Sequence, residues 1–282
     1  MGGGASSASP TPKSARTSLP RTSTFIVAAS SVSIDLNSDL GEGLGQWQMG
    51  DDAALLGIVT SANIACGFHA GDPSTMRRVC ELAASAGVSV GAHVAYPDLA
   101  GFGRRFIDIE PDELRDGVTY QVGALQAIAR SVGTHVSYVK PHGALYNTIV
   151  RHEAQAAAVV QGVAACEALP IMGLSGSVVL RLAATAGLRT VTEAFVDRAY
   201  NTDGTLVSRQ VPGAVLHDVA AIVTRTVRMV TENTVIAIDG TEIRLDFESL
   251  CVHGDTTEAV EIATAVRRGL DAVGVVLAPF VV

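Results

Sequence analysis

The sequence predicts an α/β fold, specifically a variant (β/α) barrel with seven or eight parallel strands. Short apolar segments alternate with amphipathic helical segments through most of the 282 residues, without a break in composition. This alternation is typical of a parallel sheet covered by helices. Polar residues follow most of the apolar segments, and the carboxyl ends of all strands of a barrel meet at one mouth. A doubly wound sheet would collect such residues at one switch point, so the barrel is favoured.

Eight apolar segments are candidate strands, and candidate helices alternate with them. One helix is capped by Asp72, begins at Pro73 and ends at Gly87, which are residue types that favour those positions. The candidate strands lie near residues 32, 62, 88, 136, 170, 188, 250 and 275. The other candidate helices cover residues 111–133, 153–166, 177–186, 219–232 and 258–273. Residues 201–213 and 234–247 are interpreted as insertions, the second as a candidate hairpin.

Two regions of different composition divide the chain. Residues 1–33 are rich in Ser, Thr, Pro and Gly and contain no acidic residue. Such a segment buries too little apolar surface to offset the entropy lost on ordering, so we expect a disordered tail. Residues 34–282 are predicted to form one barrel-shaped catalytic domain.

The composition also narrows the class of function. The net charge of -8 disfavours nucleic-acid binding, which requires clustered Lys and Arg. Gly, Pro or Ser interrupts the longest uncharged segments, so we expect no membrane span and predict a cytoplasmic protein. Four scattered cysteines without CxxC spacing indicate free thiols. The charged fraction of 17% is low, which favours a subunit with partner interfaces and leaves a homo-oligomer open.

The segment IDLNSDLGEG, residues 34–43, carries the first candidate site residues. Asp35, Asn37 and Asp39 alternate, so an extended strand would place their side chains on one side. Together with Glu42 they could hold a metal, act as a general base or bind substrate. The alternative is an Asx turn followed by a helix cap, which needs only one of these residues.

Two histidines follow consecutive candidate strands. His69 lies in GFHAGD and His93 lies in GAH. An imidazole at the end of a buried strand is suited to proton transfer near neutral pH. The alternative for either residue is a core histidine bonded to a backbone carbonyl. Because the placement is repeated, we favour a functional role.

The segment VKPHGALYN, residues 139–147, places Lys140 and His142 on either side of a proline that restricts their relative direction. A lysine that directly follows an apolar strand is unfavourable to bury unless an acidic group or a phosphate lies beside it. The alternative is a lysine that reaches solvent. We predict a catalytic role for both residues.

Three further segments supply candidates for binding substrate or phosphate. GFGRR contains Arg104 and Arg105 and is interpreted as a mobile loop, with an ordinary solvated loop as the alternative. EAFVDRAY and CVHGD contain the remaining candidates, Glu193, Asp197, Arg198, His253 and Asp255. No GxxxxGK[ST] loop and no GxGxxG motif after a strand is present. A phosphate would therefore be bound by arginines, Lys140 or helix amino ends.

A metal site is a separate hypothesis. The histidines at positions 69, 93, 142 and 253 could join the acids near Asp39 in a histidine and carboxylate site. The sequence contains no HExxH or HxxxH spacing, so it does not select the ligands. Whether a metal is bound stays open at this point.

Seven motifs in order resemble the LamB/YcsF family, the A subunits of 5-oxoprolinase. The motifs are IDLNSDLGEG, SANIACGFHAGD, GAH followed by YPDLAGFGRR, YQVGAL, VKPHGALYN, EAFVDRAY and CVHGD. They extend from Ile34 to Asp255, so the resemblance covers nearly everything after the tail. The departures are Val94 and Ala95, where the family usually has Pro and Ser, and Thr257, where the family often has Pro.

The resemblance implies a variant barrel similar to the glycoside hydrolase and carbohydrate deacetylase barrels. It also implies ATP-dependent opening of 5-oxo-L-proline to L-glutamate, with Mg²⁺ accompanying ATP and with partner subunits B and C. Under this hypothesis Asp39, His69 or His93 activates water, and Lys140 with His142 stabilises phosphate or an oxyanion. The alternatives are a metal-dependent carbohydrate deacetylase and a non-catalytic scaffold subunit.

Overall fold

The strands extend beyond the apolar segments into the polar residues that follow them. In this computed structural model, which describes residues 1–6, 32–255 and 258–281, strand β1 covers Ser33–Leu40 and contains Asp35, Asn37 and Asp39. The other strands are β2 Ser61–Ala65, β3 Ser89–Val94, β4 Val136–Pro141, β5 Ile171–Leu174, β6 Thr190–Phe195, β7 Thr234–Ile236, β8 Glu242–Arg244, β9 Ser249–Val252 and β10 Val276–Leu277. The expectation that these polar residues come after the strands is therefore wrong for several of them, since the strands are longer.

Seven strands close a barrel. Strand β1 pairs in parallel with β2 on one side and with β9 on the other, and the order continues through β3, β4, β5 and β6 back to β9. Strand β10 pairs with the first residues of β1 and adds an eighth strand outside the closed ring. The predicted barrel of seven or eight parallel strands is confirmed. Because every pairing in the ring is parallel, all carboxyl ends face one mouth.

The predicted helices are present, with shifts of one or two residues at some ends. They are α1 Asp52–Leu56, α2 Pro73–Ala86, α3 Pro111–Ser131, α4 Gly143–Thr148, α5 Glu153–Cys166, α6 Val178–Thr185, α7 Val219–Glu232 and α8 Ala259–Ala272. Asp72 accepts hydrogen bonds from the amides of Ser74 and Thr75, and Gly87 has a left-handed φ of +68°, as the residue types predict. The sequence analysis missed α1 and α4, which are too short to show a helical period.

Apolar and polar cores are separated by the barrel wall. The helices bury apolar faces against the outside of the wall, as α3 does with Leu114, Val118 and Val122. Inside the wall, buried polar side chains from β1, β2, β4, β6 and β9 form hydrogen bonds with one another. The alternation of Asp35, Asn37 and Asp39 with apolar residues follows from this arrangement, because successive side chains of a strand point to opposite faces.

Strands β7 and β8 form an antiparallel hairpin in which Thr234 lies opposite Arg244, so the hairpin prediction is confirmed. The described residues from Val32 onward form one compact unit. Residues 7–31, most of the predicted tail, lie outside the described residues, as do residues 256, 257 and 282. The predicted disorder of the tail therefore stays a prediction. Within the described ranges, no helix has the length and apolar character needed to cross a membrane.

Candidate active site

Lys140 lies at the centre of a buried polar network near the mouth of the barrel. Its Nζ atom lies 3.0 Å from Oδ1 of Asp39 and 3.1 Å from Oε2 of Glu193. It also donates to Oδ1 of Asn37 at 3.1 Å and lies 3.1 Å from Sγ of Cys251. Strand β4 thus places an ammonium group between β1, β6 and β9. Two carboxylates replace the water that the buried ammonium loses, which is what makes its burial tolerable.

Lys140 and Asp39 hold each other in the charged state. Burial alone would lower the pKa of Lys140, but Asp39, Cys251 and Glu193 raise that pKa well above its usual value. Burial alone would raise the pKa of Asp39, but His93 and Lys140 hold it well below its usual value. Both groups are therefore ionised at neutral pH.

Neutral side chains form the next layer into the barrel. Asn63 donates to Oδ1 of Asn37 at 2.7 Å and to Oδ1 of Asp39 at 2.9 Å, and it accepts a hydrogen bond from the Tyr138 hydroxyl at 2.7 Å. Tyr138 fits inside the barrel because its neighbour on β3 is Gly91, whose added Cβ would lie 2.2 Å from the tyrosine ring. This layer fixes the position of the Asp39 carboxylate.

Asp35 lies farthest from the mouth among the three alternating residues. It accepts hydrogen bonds from the hydroxyls of Thr60 and Ser61, both at 2.6 Å, and from Ser249. Burial nevertheless raises the pKa of Asp35 to about 6. No cationic side chain pairs with Asp35 among the described residues.

His93 and His142 are oriented by backbone carbonyls and face each other. Nδ1 of His93 lies 3.0 Å from the carbonyl oxygen of Lys140, and Nε2 of His142 lies 2.9 Å from the carbonyl oxygen of Phe102. The remaining nitrogens, Nε2 of His93 and Nδ1 of His142, are 3.0 Å apart. The carbonyl-bonded core histidine that the sequence left as an alternative is thus present, together with a buried contact between two imidazoles.

Glu42 and His69 complete this buried cluster. Oε1 of Glu42 lies 3.1 Å from Nε2 of His69 and 3.5 Å from Nδ1 of His142. The rings of His69 and His142 are stacked, with centroids 3.8 Å apart and an interplanar angle of 9°. Burial raises the pKa of Glu42 well above its usual value, and the charges of Asp39 and Asp255 add to this effect. Burial and the neighbouring histidines lower the pKa of both His69 and His142 well below the usual value.

The GFGRR segment covers the histidine cluster. Gly103 has a φ of +62°, and a Cβ added there would lie 2.8 Å from both Cδ2 of His142 and Cβ of His69. Its carbonyl oxygen accepts a hydrogen bond from the amide of Ala144 at 2.8 Å. The segment that we expected to be mobile is therefore packed against the barrel, and only a glycine permits this approach.

Asp197 and His253 form a buried hydrogen-bonded pair at the mouth. Nδ1 of His253 lies 2.9 Å from each carboxylate oxygen of Asp197, and the imidazole stacks on Phe195 with centroids 5.4 Å apart. Burial would raise the pKa of Asp197, but His253 lowers it below its usual value. A carboxylate that accepts from Nδ1 fixes the tautomer and leaves Nε2 of His253 as a base. Among the described residues, the side-chain hydrogen bonds of His253 involve Nδ1.

Four arginines near the mouth have different roles. Arg104 is paired with Asp255 at 2.5 Å and lies over the Phe102 ring, with its guanidinium carbon 4.9 Å from the ring centroid. Arg198 donates to the carbonyl oxygens of Val207 at 2.5 Å and Ala214 at 3.3 Å. Arg198 therefore binds backbone carbonyls in and next to the insertion 201–213 instead of pairing with Asp197. Burial lowers the pKa of Arg198 to about 10. The other two arginines are Arg105, which pairs with Asp98, and Arg209, which lines the mouth.

These groups surround one cavity of about 550 Å³. Its charged and titratable lining residues are Asp39, His93, Arg104, Lys140, His142, Tyr146, Arg198, Arg209 and His253. Glu42 and His69 lie behind this lining, in contact with His142. The cavity thus offers carboxylate, imidazole and cationic groups to one ligand, a combination suited to general acid and base chemistry on an anion.

Comparisons with known proteins identify the family. The LamB/YcsF family matches residues 34–282. The chain belongs to the LamB/YcsF family. It is 62% identical over 242 residues to the 5-oxoprolinase A subunit of Mycobacterium marinum, covering 86% of this chain and 96% of that protein. A crystal structure of the lactam utilization protein from Thermus thermophilus matches with a TM-score of 0.84 and 42% identity, covering 88% of this chain and 100% of that chain.

A more distant structure shares the fold alone. It is a putative cellobiose-phosphate cleavage protein from Enterococcus faecalis V583, with a TM-score of 0.51 and 16% identity, covering 88% of this chain and 97% of that chain.

In this member of the family, the structure brings most of the sequence-predicted residues together. Asp39, His93, Lys140 and His142 line the cavity, and His69 packs directly behind them. The predicted binding residues that line it are Arg104, Arg198 and His253, while Glu42, Asn37, Glu193, Asp197 and Asp255 contact lining residues. Asp35 and Arg105 are not part of the lining. Their assignment to substrate binding has no geometric support.

Sequence analysis missed several residues of the site. Asn63 is a polar residue at the centre of the buried strand SANIA, and this was the available signal. Tyr138 and Cys251 occupy strand positions that read as ordinary apolar core. Arg209 lies in the insertion 201–213, where an exposed arginine is the usual expectation, so no local signal marked it.

Proposed function

We propose that this chain is the A subunit of a 5-oxoprolinase and opens the lactam ring of 5-oxo-L-proline to give L-glutamate. The support is its membership of the LamB/YcsF family and its 62% identity to a relative named as the A subunit of 5-oxoprolinase. The substrate is small and anionic, which suits a cavity of about 550 Å³ that Arg104 and Arg209 line. We also propose that the protein works in the cytoplasm.

The Asp197–His253 pair is the observation that carries this proposal. Asp197 accepts a hydrogen bond from Nδ1 of His253, so the lone pair of Nε2 points away from the carboxylate. His253 also lines the cavity. Nε2 takes a proton from water as the water oxygen bonds to the lactam carbonyl carbon. The same nitrogen returns the proton to the lactam nitrogen as the C–N bond breaks. This pairing of a buried carboxylate with a histidine base is the arrangement that hydrolases use to activate an oxygen nucleophile.

Lys140 supplies positive charge where negative charge develops during the reaction. Its ammonium is fixed by Asp39 and Glu193 beside the cavity, so it needs no reorganisation when an oxyanion or a phosphoryl group forms there. Asp39 holds the ammonium in place and forms part of the cavity floor. Arg104 and Arg209 line the same cavity and bind the carboxylate of the substrate.

ATP provides the driving force in this proposal. A lactam carbonyl is a poor electrophile because the nitrogen lone pair is delocalised. Phosphorylation of its oxygen by ATP, with release of ADP, makes the carbonyl carbon more electrophilic, so that water adds to it and the C–N bond breaks. One water adds across the lactam bond and a second accepts the phosphoryl group, so the products are glutamate, ADP and phosphate. We propose that partner subunits B and C bind ATP with Mg²⁺, because the chain contains no phosphate-binding glycine loop of its own.

The test is glutamate release from 5-oxo-L-proline by the reconstituted complex with ATP. His253→Gln should reduce kcat by about 10²–10⁴-fold, the usual contribution of a positioned general base. Asp197→Asn should also reduce kcat, because it removes the carboxylate that fixes the tautomer of His253. His217→Gln, at an exposed histidine, is the matched control and should leave kcat unchanged.

Two outcomes would replace the proposal. If both variants keep full turnover while the complex still assembles, the chain is a scaffold subunit. If the isolated chain releases acetate from N-acetylated sugars without ATP, it is a deacetylase.

A further inference from the structure

Two buried imidazole nitrogens face each other, and no hydrogen lies between them when both rings are neutral. A backbone carbonyl only accepts hydrogen bonds, so Nδ1 of His93 must donate to Lys140 and Nε2 of His142 must donate to Phe102. In the neutral tautomers that result, Nε2 of His93 and Nδ1 of His142 are both unprotonated, yet they are 3.0 Å apart. Two lone pairs at this distance repel each other unless a cation lies between them.

Glu42 brings a carboxyl group to the same point, and a cation bound there would hold that group in its ionised form. Its Oε1 atom lies 3.5 Å from Nδ1 of His142. One ligand atom from each of Glu42, His69, His93 and His142 lies within 4.8 Å of the others. Ligand atoms held about 2.0–2.1 Å from a zinc ion in a tetrahedral site are about 3.3–3.4 Å apart. The separations of 3.0 Å and 3.5 Å on either side of Nδ1 of His142 are close to that spacing.

His69 acts on Glu42 and not as a ligand. Its ring is parallel to that of His142 at 3.8 Å, so one ion cannot lie near both ring planes, as ligation through the ring nitrogens requires. Nε2 of His69 is 3.1 Å from Oε1 of Glu42 and can donate to it, which leaves Nδ1 as an unprotonated atom. This Nδ1 has no hydrogen-bond partner in the described part of the chain, which is consistent with a lone pair there and not with an N–H group.

We propose that His93, His142 and Glu42 form a site for a divalent transition-metal ion such as Zn²⁺, with His69 holding the Glu42 carboxylate. Imidazole nitrogens favour zinc and its first-row neighbours, whereas Mg²⁺ prefers oxygen ligands. Histidine ligands whose other nitrogen donates to a backbone carbonyl are typical of metal sites, because that hydrogen bond orients the ring. Both His93 and His142 have this second contact.

The site is open toward the cavity. His93 and His142 line the cavity, and the other side of the cluster is closed by the GFGRR segment through Gly103. Three protein ligands with a free position on the cavity side are typical of catalytic sites, and an ion there polarises a carbonyl or phosphoryl oxygen. The inference rests on the geometry of the cluster and does not require the proposed reaction.

The test measures metal binding without substrate, ATP or partner subunits. The full chain is treated with a chelator, dialysed and titrated with Zn²⁺, and the bound metal is counted after a second dialysis. We expect one Zn²⁺ per chain. Co²⁺ in place of Zn²⁺ should give visible absorption bands, and X-ray absorption of the zinc form should show two imidazole ligands. These measurements need only the unaltered protein, so they decide the question even if a variant fails to fold.

Variants identify the ligands. His93→Ala and His142→Ala should lose stoichiometric binding, and Glu42→Gln should weaken it. His69→Ala should keep the stoichiometry with an affinity lower by about 10–100-fold, the usual effect of removing a group that orients a ligand. His135→Ala, at an exposed histidine, is the matched control and should bind as the unaltered chain does.

Either of two results would overturn the inference: the unaltered chain binds no more Zn²⁺ than His142→Ala, or the bound zinc shows no imidazole ligands. The first result would mean that the two histidines share a proton. Neither result bears on the ring-opening assay, so the failure of one proposal is separate from the failure of the other.

Discussion

Asp35 and Asp39 lie on the same face of the same strand, but their environments are opposite. Asp35, away from the mouth, accepts hydrogen bonds from three hydroxyl groups, and burial raises its pKa to about 6. Asp39, four residues closer to the mouth, faces Lys140 and His93, and these groups hold its pKa well below the usual value against the effect of burial. The two carboxylates are both almost completely buried.

The difference shows that depth in the barrel decides what an inward-facing carboxylate does. Hydroxyl donors compensate only part of the desolvation of a carboxylate, whereas a cation at 3.0 Å compensates more of it. Between the two aspartates lies Asn37, which donates to Ser249 at 2.7 Å and accepts from Lys140 and so connects both environments. The deep end thus resembles a polar core, and the mouth end is an ionised site.

The largest effect on stability is expected from breaking the buried polar network around Lys140. Lys140→Met keeps the approximate length of the side chain but leaves Asp39 and Glu193 buried without a cation. Removing one partner of a buried ion pair costs about 3–5 kcal/mol, so we expect a loss of this size in the free energy of unfolding. Urea denaturation with a circular-dichroism signal measures it.

Arg77→Met is the control for Lys140→Met. Arg77 pairs with Glu81 on an exposed face of α2, so its removal should cost at most about 1 kcal/mol. Equal losses in the two variants would mean that the buried network contributes nothing beyond a surface pair.

A smaller, pH-dependent effect is expected at the deep end. The pKa of Asp35 is raised from 3.8 to about 6 on folding, so the folded state binds the proton more tightly than the unfolded state does. Stability contributed by the protonated form is present below about pH 4 and is lost as pH rises through about 6. Relative to Asp35→Asn, the wild-type chain should therefore lose roughly 3 kcal/mol between these limits.

Denaturation of both chains at several pH values measures this difference. Asp246→Asn, at an exposed aspartate, is the control and should show no comparable dependence on pH. A constant difference between Asp35→Asn and the wild type across the range would contradict the assignment of a raised pKa.

The smallest effect is expected where the GFGRR segment meets the mouth. Gly103→Ala adds a Cβ at 2.8 Å from atoms of His142 and His69, at a φ of +62°. We expect a loss of about 2–3 kcal/mol in the free energy of unfolding, from the left-handed backbone and the crowding together. Gly45→Ala is the matched control, because Gly45 has a φ of +57° but nothing within 4 Å of the added Cβ.

Gly45→Ala should lose only the backbone contribution of about 1–2 kcal/mol. The excess loss in Gly103→Ala, measured by thermal or urea unfolding, reports how tightly the segment packs on the histidines. No excess would show that the segment is free to move away from them.

Most of the fold could be predicted because the barrel repeats one local pattern. Helix ends at Asp72 and Gly87 depend on backbone requirements that the residue types reveal directly. Strand ends were harder to predict than helix ends. Polar residues usually mark the end of a strand, but β1 continues through Asp39. Polar residues continue the strand here because the inside of this barrel is itself polar.

The site was predicted less completely. Placement after apolar segments was enough to select Asp39, His93, Lys140 and His142, because parallel strands deliver their carboxyl ends to one mouth. Local sequence offered no reason to choose Tyr138 or Arg209, whose roles depend on neighbours distant in the chain. It also offered no reason to separate His253 from the other histidines as the partner of Asp197.

The sequence by itself determined the alternation of strands and helices, the helix caps, the family, and the set of polar residues available at the mouth. Each of these depends on interactions within a few residues or on motif order. Only the tertiary structure decided which nitrogen of His93 and of His142 bonds a backbone carbonyl and which carboxylates pair with Lys140. It also decided that the pKa of Asp35 is raised and that of Asp39 is lowered. Those properties depend on distances of about 3 Å between residues far apart in the chain, and chain folding alone sets such distances.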